Sequence, residues 1–153
     1  MDNIDRKILT ILQDNARTPL KVIAEQVFLS SPAVSARIER LEAAGLITSY
    51  QAQLSAAAMG YQIKAFISLE VEPRQKPEFY PYIERCPNVM ECNCVTGDYS
   101  MLLKVCFSTT QELDHFIDQL QSFGRTRTQI VFSTPVEHRG IPTLTEEEPE
   151  NPA

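Results

Sequence analysis

The apolar residues of this 153-residue chain change their period near residue 62, and that change points to two domains of different kind. Before it they recur at helical spacing: Ile4, Ile8, Ile11 and Leu12 stand at i, i+4, i+7 and i+8 in "NIDRKILTILQDN". After it Ile63, Ala65, Ile67, Leu69 and Val71 alternate with Lys64, Phe66, Ser68 and Glu70, the period of a half-buried strand. A chain of this length can house two small cores. The expectation is a helical domain over residues 1–50, a hinge over 51–61 around "AAAMGY" and a mixed domain over 62–140. The acidic stretch 141–153 is expected to be a disordered tail.

The first third reads as three short helices. Asp2 or Asn3 can cap the first. "ART" is a break, and Pro19 suits the first turn of the second, with Thr18 as its cap and Leu20, Ile23, Ala24 and Val27 on one side. A short turn at Phe28-Leu29 leads to the third helix. Ser31 is expected to cap it with Pro32 at the first helical position; Ser30 is the alternative cap, shifting the start by one. Val34, Ile38 and Leu41 form its buried stripe. The opposite side holds Pro32, Ala33, Ala36 and Arg40, with Arg37 on its flank. Such a face, small at its start and basic at its end, lets a helix sit deep in a groove while arginines reach bases or phosphates. Gly45 is the expected stop, and "LITSYQAQLS" continues as a β-like segment.

Further on, "KPEFYPYIERC" predicts a short helix with Pro77 in its first turn; Pro81 is expected to delay or bend its start. "NVMECNCVTGDYSMLLKVCF" predicts two strands joined near Gly97-Asp98. Thr109 and Glu112 have the spacing of a capping box ahead of Leu113, Phe116, Ile117 and Leu120, with Gly124 as stop. "RTRTQIVFS" closes as a strand. The order β-α-β-β-α-β is that of a ferredoxin-like sandwich. The fold class is therefore α+β: a helix-turn-helix, winged-helix-like head followed by a ferredoxin-like βαββαβ sandwich.

Charge and chemistry narrow the function. The net charge of −6 argues against a nucleic-acid partner only on average. Residues 1–50 hold six basic and six acidic side chains, so the whole deficit falls on the remainder, four of its acids in "TEEEPENPA". Cys86, Cys92, Cys94 and Cys106 form no C-x-x-C pair and are read as reduced, partly buried thiols. His115 and His138 lack partners at metal-ligand spacing, and neither a phosphate loop, a dinucleotide fingerprint nor a nucleophile triad is present. No cofactor, no metal and no catalytic residue is expected. No apolar run approaches the ~20 residues that span a bilayer, and no targeting signal precedes the first helix, so a cytoplasmic home is expected.

The head resembles the amino-terminal domain of the Lrp/AsnC, or feast/famine, transcriptional regulators. The residues that carry the likeness are Asp5 with Ile8-Leu9, Asp14 with Ala16-Arg17, Ile23-Ala24, Leu29-Ser30, Val34, Arg37-Ile38, Arg40-Leu41-Glu42, and Gly45 with Ile47. "VTGDYSMLLKV" and "TRTQIV" are similar to the family's ligand-binding sandwich, so the likeness spans about residues 2–140. It implies a sequence-specific DNA-binding regulator, cytoplasmic and nucleoid-associated, whose sandwich assembles dimers and then tetramers or octamers and senses an amino acid. It implies DNA contacts from Ser31, Pro32, Ala33, Ser35, Ala36, Arg37 and Arg40, with Arg17 and Lys21 on phosphates. The competing reading of Arg37 and Arg40 is a solvated face paired within its own helix.

For the effector the resemblance implies Gly97, Asp98, Tyr99 and Ser100, with Thr126, Thr128 and Gln129 in support. The competing reading there is a plain hairpin turn. Two positions depart from the family: Phe28 stands where glycine is usual, and Ser100 where a carboxylate is common. An effector-independent DNA-architectural protein and an enzyme like the sirohaem decarboxylases are the alternative functions.

Overall fold

A computed structural model describes residues 1–143; most of the acidic tail, 144–153, lies outside the described residues. Two compact units divide the chain. One comprises the segment up to Gln53 together with the described residues 136–143, the other Leu54–Pro135.

In the first unit, α1 (Asn3–Asp14), α2 (Leu20–Val27) and α3 (Ser31–Ala43) enclose a core of Ile8, Ile23, Ala24, Val27, Val34 and Leu41. Asp2 caps α1 through a reciprocal box. The Asp5 amide donates to Asp2 Oδ1 at 2.8 Å and the Asp2 amide to Asp5 Oδ2 at 3.1 Å. Thr18 does not cap α2. Its hydroxyl instead donates to the Asn15 carbonyl at 2.7 Å, and Pro19 takes the N-cap position. Leu20, the first helical residue of α2, is exposed, and only Ile23, Ala24 and Val27 carry the buried side. The alternative cap of α3 is the one used: extended Ser30 accepts from the Ala33 amide, and Ser31 is already helical.

Residues 136–143 group with these helices: the Gln13 side-chain amide donates to the Ile141 carbonyl at 3.1 Å, and the Thr10 and Thr143 hydroxyls bond. The expected β-like run after Gly45 forms no strand. Its first amides, those of Leu46 and Ile47, fold back to the Leu41 carbonyl at the end of α3, and beyond them no strand lies alongside to pair with; Leu46, Tyr50 and Leu54 are exposed along it. The head therefore shows three helices and no wing strand among the described residues.

The second unit has the expected order: β1 (Ile63–Leu69), α4 (Lys76–Glu84), β2 (Val89–Cys94), β3 (Met101–Phe107), α5 (Thr110–Gln121) and β4 (Thr126–Ile130). A 3-10 turn, Pro73–Gln75, leads into α4. The sheet order is β2-β3-β1-β4, all neighbours antiparallel. Ala65, Ile67, Leu69, Met101, Leu103 and Val105 face Phe79 and Ile83 of α4 and Leu113, Phe116 and Leu120 of α5 in one buried cluster.

Pro81 neither delays nor ends α4, which starts at Lys76 and runs through it. At 100° per residue Pro81 lies away from buried Phe79 and Ile83, on an exposed side where water can serve the carbonyl it leaves free. The Thr109–Glu112 box forms as expected. Gly124 is held by more than a helix stop. With φ at 154°, a Cβ there would stand 1.8 Å from the Glu70 carbonyl oxygen, so the chain can pass β1 only without one.

Candidate recognition helix and effector loop

On α3, Pro32, Ala36 and Arg40 are exposed, and Ser31, Ala33, Ser35 and Arg37 are half-buried. The small outer face is thus present, but the two arginines differ. Arg37 Nη1 donates to Asp2 Oδ2 and to Asp5 Oδ1, each at 2.7 Å, and its side chain keeps only 23% exposure. Arg40 Nη2 meets both Asp5 oxygens, at 3.1 and 3.2 Å, while its side chain stays 62% exposed. Pairing within the helix, the competing expectation, is not what holds them; their partners lie 32 and 35 residues earlier, on and beside α1. Only Ser35 bonds along the helix, its hydroxyl donating to Glu39.

Asp5 is the one buried charged residue among those described, 2% exposed. Burial pushes its carboxyl up, but the Arg37 hydrogen bond and the Asp2 amide outweigh it and hold it below the ordinary range. Asp2 is held low by the Asp5 amide and then by Arg37, and both carboxylates raise the Arg37 guanidinium. Sequence reasoning passed over Asp2 and Asp5 as partners. A signal was there: Asp5 shares the core-facing side of α1 with Ile8 and Leu12, a place where a carboxylate needs a cation.

Arg17 and Lys21 are exposed at the entry to α2. The Arg17 amide is tied to the Asn15 side chain at 3.0 Å, which fixes the backbone there. In the turn before α3, Phe28 adopts left-handed backbone, φ 56° and ψ 43°, with its ring 92% exposed. A Cβ in that region costs on the order of 1 kcal/mol, and this ring gains nothing from burial in return.

In the second unit, Gly97 turns the β2–β3 hairpin at φ 109°, with Asp98 exposed beside it. Tyr99 lies under Arg125, whose guanidinium carbon is 5.2 Å from the ring centroid; Arg125 also pairs with Glu70 at 3.3 Å. This link between the hairpin and the α5–β4 loop was not expected. Ser100 is half-buried and bonded within the fold. Its hydroxyl donates to the Val71 carbonyl at 3.1 Å and accepts from the Val71 amide at 2.9 Å, so its single proton is spent on the fold.

Along β4 the register divides the supporting residues. Thr126 and Thr128 stand opposite Leu69 and Ile67 on the helix-covered face, and Gln129 opposite Phe66 on the open one. The hairpin residues line neither of two shallow depressions in this unit. One, about 310 Å³, lies between Glu72 and the end of α5; the other, about 480 Å³, lies by Arg85, Cys86 and His115.

The four cysteines are free, with Cys92 and Cys94 on one sheet face as their spacing predicts. Among the described residues no group of three or more histidine, cysteine or acidic side chains could hold a metal ion. Nor is any helix there long and apolar enough to cross a membrane.

Three helices with a small-faced third, carried by a chain that also builds a βαββαβ sandwich, define a helix-turn-helix regulator with a separate ligand-binding module. Family profiles agree with both parts: winged helix-turn-helix DNA-binding matches residues 1–48, and the Lrp/AsnC ligand binding domain matches residues 64–141. The HTH-type transcriptional regulator FL11 of Pyrococcus furiosus is 32% identical over 93% of this chain and 96% of its own. The regulatory protein AsnC of Escherichia coli is 32% identical over 89% of this chain and 93% of its own. The feast or famine regulatory protein Rv3291c of M. tuberculosis, solved with L-methionine, superimposes with a TM-score of 0.85. It shares 28% identity and covers 92% of this chain and 97% of its own. The chain belongs to the Lrp/AsnC family of transcriptional regulators.

Proposed function

We propose that α3 reads operator DNA through the face of Ser31, Pro32, Ala33, Ser35, Ala36 and Arg40, with Arg17 and Lys21 on flanking phosphates. The observation that carries this reading is Arg40, anchored to Asp5 at one nitrogen and exposed over most of its length. Its free donors suit guanine edges or phosphate oxygens, and the small residues ahead of it let the helix approach closely. Arg37 is read here as a brace rather than a reader. The role is regulatory and not enzymatic, and the site of action is the chromosome. In a mobility-shift titration Arg40→Ala should weaken operator binding about tenfold or more while helicity is kept; unchanged affinity removes Arg40 from the reading face.

The effector reading is an amino acid held at Gly97, Asp98 and Tyr99 where copies of the chain meet. The exposed Asp98 suits an ammonium group, the backbone around Gly97 a carboxylate, and a relative is solved with L-methionine. The open sheet face, with Phe66 and Leu102 among Lys104, Glu91 and Gln129, supports self-association into dimers and larger assemblies. Calorimetry across an amino-acid panel that includes L-methionine should give heat with one or a few members, and Asp98→Ala should abolish it. A second reading, DNA architecture without an effector, is favoured by one observation: Ser100 is locked to Val71 and offers no charge. Silence across the whole panel would select it.

A further inference from the structure

The geometry points to Asp5 as a positioning residue for DNA recognition, one that gives up general affinity for duplex in order to fix Arg40 for sequence reading. The inference rests on the assignment of α3 as the DNA-facing helix and adds what sets its selectivity.

Asp5 is almost wholly buried, yet its two oxygens serve two guanidinium groups and an amide. Oδ1 takes Arg37 at 2.7 Å and Arg40 at 3.1 Å, and Oδ2 takes Arg40 at 3.2 Å and the Asp2 amide at 3.1 Å. Both arginines are anchored at a single nitrogen, and exposure separates them: the Arg37 side chain is only 23% exposed, with Nη1 bridging two carboxylates. Arg40 is anchored at Nη2 but its side chain is 62% exposed, so its remaining donors are open to a base or phosphate. An arginine side chain has many rotamers, and holding it before docking removes an ordering cost that would otherwise fall on binding. Two carboxylates set against two guanidinium groups also cancel charge that would attract any phosphate backbone. Asp5 therefore acts in opposite senses on two kinds of DNA. It strengthens binding where Arg40 meets its matching base and weakens binding where only phosphates are met.

That opposition separates positioning from support of the fold, since a destabilised head loses both kinds of binding together. Full-length protein is titrated by fluorescence anisotropy against two duplexes of equal length. One is the duplex that wild type enriches from a randomised library; the other is the same composition scrambled. Asp5→Asn should lose about tenfold or more on the selected duplex and hold or gain on the scrambled one. Asp5→Glu, which keeps the carboxylate, should recover part of the selectivity. In an Arg40→Ala background Asp5→Asn should cost no further selectivity.

Equal losses on both duplexes, or an unchanged ratio, overturn the inference while the DNA-reading function stands. Wild type that enriches no duplex overturns the function and this inference with it. Should Asp5→Asn fail to fold, Asp5→Glu decides. It keeps the buried charge, while its longer stem shifts the oxygens that anchor Arg40. A reproducible fall in the selectivity ratio supports the inference, and an unaltered ratio overturns it.

Discussion

The two units hold their functional surfaces in different ways. The sandwich buries thirteen residues in one apolar cluster, and its hairpin loop is fixed by strands on either side. The head buries six apolar residues, two of them alanine and valine from one short helix, and adds a buried carboxylate that ties α1 to α3. Apolar packing is non-directional, so it places an element without aiming a particular side chain. A carboxylate shared between two guanidinium groups does aim them. The comparison teaches that the smaller core is completed by charge at the place where direction matters.

The largest test of that contrast is Phe79→Ala. It should cost about 3–5 kcal/mol in the sandwich and leave the head's amide protection unchanged in hydrogen-exchange mass spectrometry; loss of protection in α1–α3 as well would end the view of two separately held units. Next comes Arg37→Ala, which leaves Asp5 buried with Arg40 alone. A loss of roughly 1–3 kcal/mol confined to the head is expected, and a neutral result would show that the apolar core suffices there. Phe28→Gly should act the other way. It relieves left-handed backbone while removing a ring that is almost fully exposed, and should raise head stability by about 1 kcal/mol in a denaturant titration.

The smallest effect concerns acid. Asp2 and Asp5 have carboxyls depressed in the folded head, so their contribution is present above the unfolded-chain value of 3.8 and is lost as pH falls below it toward the folded values. Helicity of the head should decline on acidification below about pH 4 before the sandwich loses its β signal, and Asp5→Asn should flatten that dependence. Simultaneous loss of both signals would mean that the charge cluster adds nothing special to the head.

Much of the scaffold was legible because it is decided locally. The stripe of α1, the Thr109–Glu112 box, the hairpin at Gly97 and the inward alternation of β1 each involve residues within about four positions or a strand's own period. Where local reading failed, two local options competed or a partner was missing. Ser30 and Ser31 were both competent caps, Thr18 had a nearer carbonyl at Asn15, and the run after Gly45 had strand character but no strand beside it.

The sequence by itself determined the helices and strands that form, though it also offered a strand after Gly45 that does not, together with the split into a helical head and a βαββαβ sandwich and the small outer face of α3. Only the tertiary structure decided that Arg37 turns inward to Asp2 and Asp5 while Arg40 stays out, that Ser100 closes on Val71, and that Thr126 and Thr128 face the helices. Those outcomes depend on groups 29 to 35 residues apart, or on the register between strands. A hydroxyl or a guanidinium can bond to many partners along a chain, and only the packed backbone selects the one within reach.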